Sequence, residues 1–357
     1  SKYRNFTLKV RLRMFKFPKN LYADVRVEDI HESNIRIVNG ELKQCSVRDY
    51  KAVFVRVFDG VRWFYEALTD VDKIQETLDE LAKFAKPTED IDKNKVVRAL
   101  EVNEGEFMSF ASSSLADVPL AKKRGLVEKY AKLFAHNELV TSWSANYEDR
   151  REVKSFWSSK GTDLKFDTQR CGVMINGDFA KGDKKHQDGY NTGGPTFDEI
   201  ASLETECKHW LERAEDFLLN AKPVKAGSYP VILSPDAAGV FAHECFGHKS
   251  EADFMVGDAS AKEEWAIGKK VGAPILSIID DGTKIGSGFT PFDDEGTKAQ
   301  CTYLIKDGLL AGRLHSSITA AALEESVTGN ARSISFEYEP IPRMTTTYIG
   351  SGALTKE

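Results

Sequence analysis

The chain has 357 residues, a hydrophobic fraction of 41%, a charged fraction of 29% and a formal net charge of -6. A length beyond roughly 250–300 residues predicts two domains, because single hydrophobic cores stop growing there. The composition is that of a globular protein, and the acidic balance argues against direct nucleic-acid binding, which calls for a basic patch or stripe.

Along the chain, Lys9, Arg11, Arg13, Lys16 and Lys19 interleave with apolar residues, which reads as a strand with one solvated face. Residues 21–68 alternate in period two, with Asn39-Gly40 and Asp59-Gly60 as turns, predicting strands joined in hairpins. Val71, Ile74, Leu78 and Leu81 recur at helical spacing over 70–84. A second helix is predicted over 119–135, then strands across 139–180 with a turn at Ser159-Lys160-Gly161. The glycine-rich stretch 188–200 lacks the spacing of a phosphate-binding motif and reads as a surface loop. Thr196 or Asp198 then caps a long amphipathic helix. Residues 222–230 read as a linker, and Val231 to Ser234 as a short strand. Ser234, with Pro235 after it, starts another helix. After Gly272 the pattern predicts strands and turns throughout.

No run of about 18 or more apolar residues occurs, so no membrane helix is expected. The first residues show neither the apolar region nor the cleavage site of a signal peptide. Cys45, Cys171, Cys207, Cys245 and Cys301 form an odd, widely spaced set without a CxxC pair. That pattern predicts reduced thiols and a cytoplasmic setting.

The helix begun at Ser234 carries His243-Glu244-Cys245-Phe246-Gly247-His248. Two imidazoles beside a carboxylate are the ligands and general base of a hydrolytic metal site. Equally, two histidines at this distance can be satisfied in a core. Five steps at about 100° per residue leave the second ring roughly 140° from the first on a straight helix. The rings converge only if the helix bends, through a π-bulge or an end at Gly247. Glu251 is either a partner to an imidazole N–H or a surface carboxylate. Cys245, next to Glu244, should point away from the metal face.

In order and spacing, HECFGHKSEADF (243–254), IIDDGT (278–283), DDEGT (293–297), YLIKDGLLAG (303–312), TGNARS (328–333) and PIPRMTTTYI (340–349) resemble the TldD/PmbA family of metallopeptidases, also called modulators of DNA gyrase. Residues 24–42 resemble it more weakly. The resemblance implies an α+β fold, with an N-terminal mixed α/β-sheet domain at 1–222. A mostly antiparallel β domain carrying the metal-motif helix follows at 223–357. It implies a zinc peptidase of the TldD type, in which His243 and His248 bind zinc and Glu244 is the catalytic base. Such an enzyme cleaves short or unfolded peptides, taken up as extended strands, by metal-activated water. It pairs as a homodimer or as a heterodimer with a PmbA-type chain. The family's third ligand is a cysteine beyond the PRMTTTY block, a position that none of the five cysteines occupies. The expectation is therefore an incomplete C-terminal domain, with the third ligand outside the given chain. The alternative is a non-catalytic peptide- or partner-binding subunit.

Asp293-Asp294-Glu295-Gly296 reads as a turn rather than an acidic metal site, with a substrate-cleft role open. Asn330, Arg332 and Arg343 are candidates to hold a peptide backbone or carboxylate, Arg343 alternatively a structural ion-pair partner. His31, His136, His186, His209 and His315 show no ligand spacing.

Overall fold

A computed structural model describes residues 15–134 and 137–352. His136 and most of the basic stretch at 9–19 lie outside the described residues. β1 (Tyr22–Val38) and β2 (Glu41–Phe58) form the hairpin expected at Asn39-Gly40. Both turn residues take positive φ, 48° and 85°, as a type I′ turn requires. β3 (Trp63–Leu68) returns along β2, and α1 (Ile74–Phe84) follows. After α2 (Lys95–Ala99), β4 (Glu104–Phe107) and α3 (Leu120–Ala131), β5 (Val140–Ser158) and β6 (Asp163–Lys181) make a second long hairpin, extended by β7 (Lys184–Gly194). The sheet runs β3-β2-β1-β5-β6-β4, with β7 also paired to β6. Its pairs are antiparallel except β4 on β6.

β7 corrects the surface loop expected from 188. Its glycines mark close strand approach: a Cβ at Gly193 would lie 2.8 Å from the Cys171 carbonyl oxygen. α4 (Glu204–Asn220) packs Trp210, Ala214 and Leu218 with Val127 and Tyr130 of α3 onto Ile35, Tyr147, Val173 and Ile175 of the sheet. Ile74, Leu78 and Leu81 of α1 cover Ala23, Val25, Val53 and Val55. Each buried Val, Leu or Ile among them contributes about 1.5–3 kcal/mol by leaving water.

Residues 221–234 form an exposed coil, so the strand expected at 231–234 is absent. Ile232 is fully exposed, and no described strand pairs with it. An apolar run becomes a strand only where a neighbour takes its backbone N–H and C=O groups. Beyond it come α5 (Pro235–Ala242), α6 (Ala259–Glu264), β8 (Ile278–Asp281), β9 (Cys301–Lys306), β10 (Leu309–Leu310), α7 (Ser317–Leu323), β11 (Ala331–Arg332), β12 (Ile341–Pro342) and β13 (Thr347–Ile349). The second sheet runs β10-β9-β8-β13 and is antiparallel, and β11 pairs with β12. α7 corrects the expectation of strands alone after Gly272. Its Ser316–Thr319 capping box is a local helix start that the strand pattern around it hid. The chain thus has an α+β fold.

The even-numbered face of β1 is charged yet buried. Asp24, Arg26 and Glu28 lie beneath the loop 293–297. That loop is a tight turn, with Gly296 at φ 75°. Its three acids are buried, and two of them are ion-pair partners: Asp294 lies 2.7 Å from Lys154, and Glu295 lies 3.3 Å from Arg56, which also holds Asp24 at 2.7 Å. Asp293 accepts from the backbone N–H groups of Glu295, Thr297 and Ala331.

Candidate metal centre

Ser234 caps α5 by accepting from the Ala237 N–H at 3.3 Å, with Pro235 in the first turn. The helix then changes pitch. His243–Gly247 form a single π turn, closed by the His248 N–H donating to the His243 carbonyl. The extra residue in that turn cancels the 140° offset of a straight helix. The two imidazole centroids lie 4.6 Å apart with their planes at 84°.

Gly247 sits here for space rather than for unusual backbone angles. Its φ of -60° and ψ of -60° are open to any residue. A Cβ there would lie 2.1 Å from Met344 Sδ.

Donor atoms of His243, Glu244 and His248 fall within 4.8 Å of one another. Among the described residues Cys245 does not join this set, and the five cysteines are unpaired. His243 and Glu244 are about half exposed or more, with side chains at 46% and 62%.

Glu251 is buried at 1% and lies 3.0 Å from His248 Nδ1, so it is the imidazole partner rather than a surface carboxylate. A carboxylate on Nδ1 leaves Nε2 as the free donor atom, the arrangement of metal-binding histidines. Arg343 lies 3.6 Å from the same carboxylate, and the Met344 N–H donates to its other oxygen.

A buried scaffold puts Arg343 and Met344 there. Asp280 of β8 accepts from Thr345, Thr347 and the Asn330 amide, and that amide also donates to the Arg343 carbonyl at 3.0 Å. Asn330 is only 3% exposed, and its amide braces the Arg343 segment against Asp280. Arg332 donates to the Met344 carbonyl in the same scaffold.

Sequence reading missed Asp280, Met344 and Ser250. The Ser250 hydroxyl links the Phe246 carbonyl to the Trp265 indole N–H and pins the end of the motif. A polar residue in a TxT or DD run carries no local sign of such a role. The remaining described histidines stand apart: His31 pairs with Asp49, His186 with Asp188, buried His315 with Glu325, and His209 is exposed on α4.

Two imidazoles, an adjacent carboxylate and a buried carboxylate behind one ring form a donor set that fits a borderline divalent metal. Residues 226–357 match the model of the PmbA/TldA metallopeptidase C-terminal domain, and residues 23–86 match PmbA/TldA metallopeptidase domain 1. A metalloprotease of Synechocystis sp. is 30% identical over 339 residues, covering 93% of this chain and 72% of that protein. The chain belongs to the PmbA/TldD metallopeptidase family. A Saccharolobus solfataricus relative named a zinc metalloprotease TldD homolog is 25% identical over 358 residues, covering 95% of this chain and 76% of that protein. The PmbA/TldD fold is also that of a Thermotoga maritima protein described as a candidate modulator of a DNA gyrase. Its TM-score is 0.75 at 19% identity, covering 90% of this chain and 72% of that one.

Proposed function

We propose that this chain is a zinc-dependent peptidase in which His243 and His248 hold the ion and Glu244 is the general base. One observation carries the reading: the π turn brings both imidazoles to one place, with the exposed Glu244 between them in sequence. When bound, zinc supplies a Lewis acid and lowers the pKa of water. Glu244 takes the proton of the attacking water and passes it to the departing amine. Glu251 holds the His248 ring in one tautomer and orientation, and Arg343 neutralises that buried carboxylate. The zinc name of the Saccharolobus relative supports zinc over other borderline metals.

The substrate class is short or unfolded peptide, which suits an open, half-exposed site. The exposed apolar residues Ile232, Val240 and Phe241 beside the motif support association with a second chain, either a copy or a PmbA-type partner. Unpaired thiols support a cytoplasmic setting, and no described helix is long and apolar enough to cross a membrane. Two domains, 1–222 and 223–357, joined through the exposed coil at 221–234, fit the separation of the two sheets in sequence.

The test is metal content and peptide cleavage on the full-length protein and on Glu244→Gln. About one zinc per chain in both proteins, with cleavage in the wild type and a loss of roughly 100-fold or more in the variant, is the expected outcome. A metal-free protein that stays inactive with added zinc would mean a peptide-holding subunit instead.

A further inference from the structure

Beside the candidate metal centre the surface folds into a hollow of about 260 Å³. His248 forms one wall of it. Its floor is rigid and apolar: Met255 is 3% exposed, and Trp265 is 8% exposed with its indole N–H fixed on Ser250. Ala261 lines one side, and Phe254, 60% exposed, forms a lip. The rim carries an ion pair, Lys249 to Glu264 at 3.3 Å, with the lysine also 5.4 Å from the Trp265 ring centroid. The charges at the mouth thus satisfy each other and leave the interior without an unmet polar demand.

From this geometry we propose that the hollow is a side-chain subsite, selecting a hydrophobic residue of the peptide close to the bond that is cut. The inference rests on the peptidase reading above and adds a specificity to it. The occupant is set by three features. The hollow shares His248 with the candidate metal centre, so a peptide lying across the histidines passes its mouth. It is smaller than the roughly 300–1,000 Å³ of sites that enclose a whole small ligand, which suits one side chain. Its apolar floor gives a leucine, methionine or phenylalanine side chain a dry surface to cover, whereas an aspartate or serine would lose water without a new partner. A main-chain grip on extended peptide is tolerant of sequence, so a single apolar pocket is where preference enters.

The experiment uses the full-length zinc-loaded protein and a set of unstructured peptides varied at one position at a time, with cleavage sites mapped by mass spectrometry. The expected result is kcat/KM roughly tenfold or more higher when Leu, Met or Phe occupies one fixed position near the cut than when Ser or Asp does. Ala261→Phe fills the hollow and brings that ratio toward one, with zinc content retained as the sign of an intact fold. Phe254→Ser, at the exposed lip, lowers the ratio without touching the core. A wild type that cuts with no apolar preference, or a preference that survives both variants, overturns the subsite and leaves the peptidase standing. If nothing is cut, the peptidase reading fails instead. Fluorescence anisotropy of labelled Leu- and Ser-containing peptides then judges the hollow: tighter Leu binding that Ala261→Phe removes upholds it, and equal binding overturns it.

Discussion

Among single residues, Glu251 is the one whose surroundings define the histidine site. A carboxylate at 1% exposure, shared between an imidazole, a guanidinium and a backbone N–H, is fully committed to orientation. Glu251→Gln keeps the size of the side chain and removes its charge. The expected result is a metal affinity lower by about 10–100-fold, measured by competition with a chelator, while His248 itself stays in place. Unchanged affinity would reduce Glu251 to a packing residue.

Among elements, the π turn decides whether the motif can bind metal at all. Met344, 93 residues beyond Glu251 in sequence, places its sulfur against Gly247 of that turn. Gly247→Ala is expected to destabilise the protein by roughly 1–3 kcal/mol through overpacking and to weaken metal binding with it. Adding Met344→Ala should restore much of both, because the backbone angles at 247 suit alanine. A double variant no better than the single one would show that the glycine is needed for backbone reasons instead. Urea midpoints and chelator competition read the two effects.

On the scale of the whole molecule, the charged face of β1 and β2 is buried under the 293–297 loop. Lys154 holds Asp294 at 2.7 Å, and Lys154 with Arg26 keeps the Asp294 carboxyl well below the usual carboxylate range despite its burial. Burial pushes Asp293 and Glu295 the other way. Removing one partner of a buried pair costs about 3–5 kcal/mol, so Asp294→Ala should lower stability by about that amount at pH 7. The sign with pH follows from the depressed pKa: the stabilisation is complete above the unfolded value near about 3.9 and fades as pH falls further. Urea midpoints of wild type and variant should therefore differ by a constant amount between about pH 5 and 7 and converge below about pH 4. A gap that stays constant into acid would mean that Asp294 contributes by packing and not by charge.

Local chemistry in the sequence determined the hairpins at Asn39-Gly40 and Ser159-Lys160-Gly161, the helix ending at Phe84, the body of α4 though not its start (Glu204, with neither Thr196 nor Asp198 as its cap), the Ser234 cap and the HECFGH motif, since turn geometry, periodicity and capping act over a few neighbours. The five-residue histidine spacing even stated its own condition, a bend, and the π turn meets it. Only the tertiary structure decided that Glu251 is buried, that Asn330 braces rather than faces outward, that the glycines at 189–194 lie in a strand and that residues 231–234 do not. Each of those outcomes depends on atoms supplied from distant segments: a carboxylate is a brace or a surface group, and an apolar run a strand or a coil, according to what folds against it.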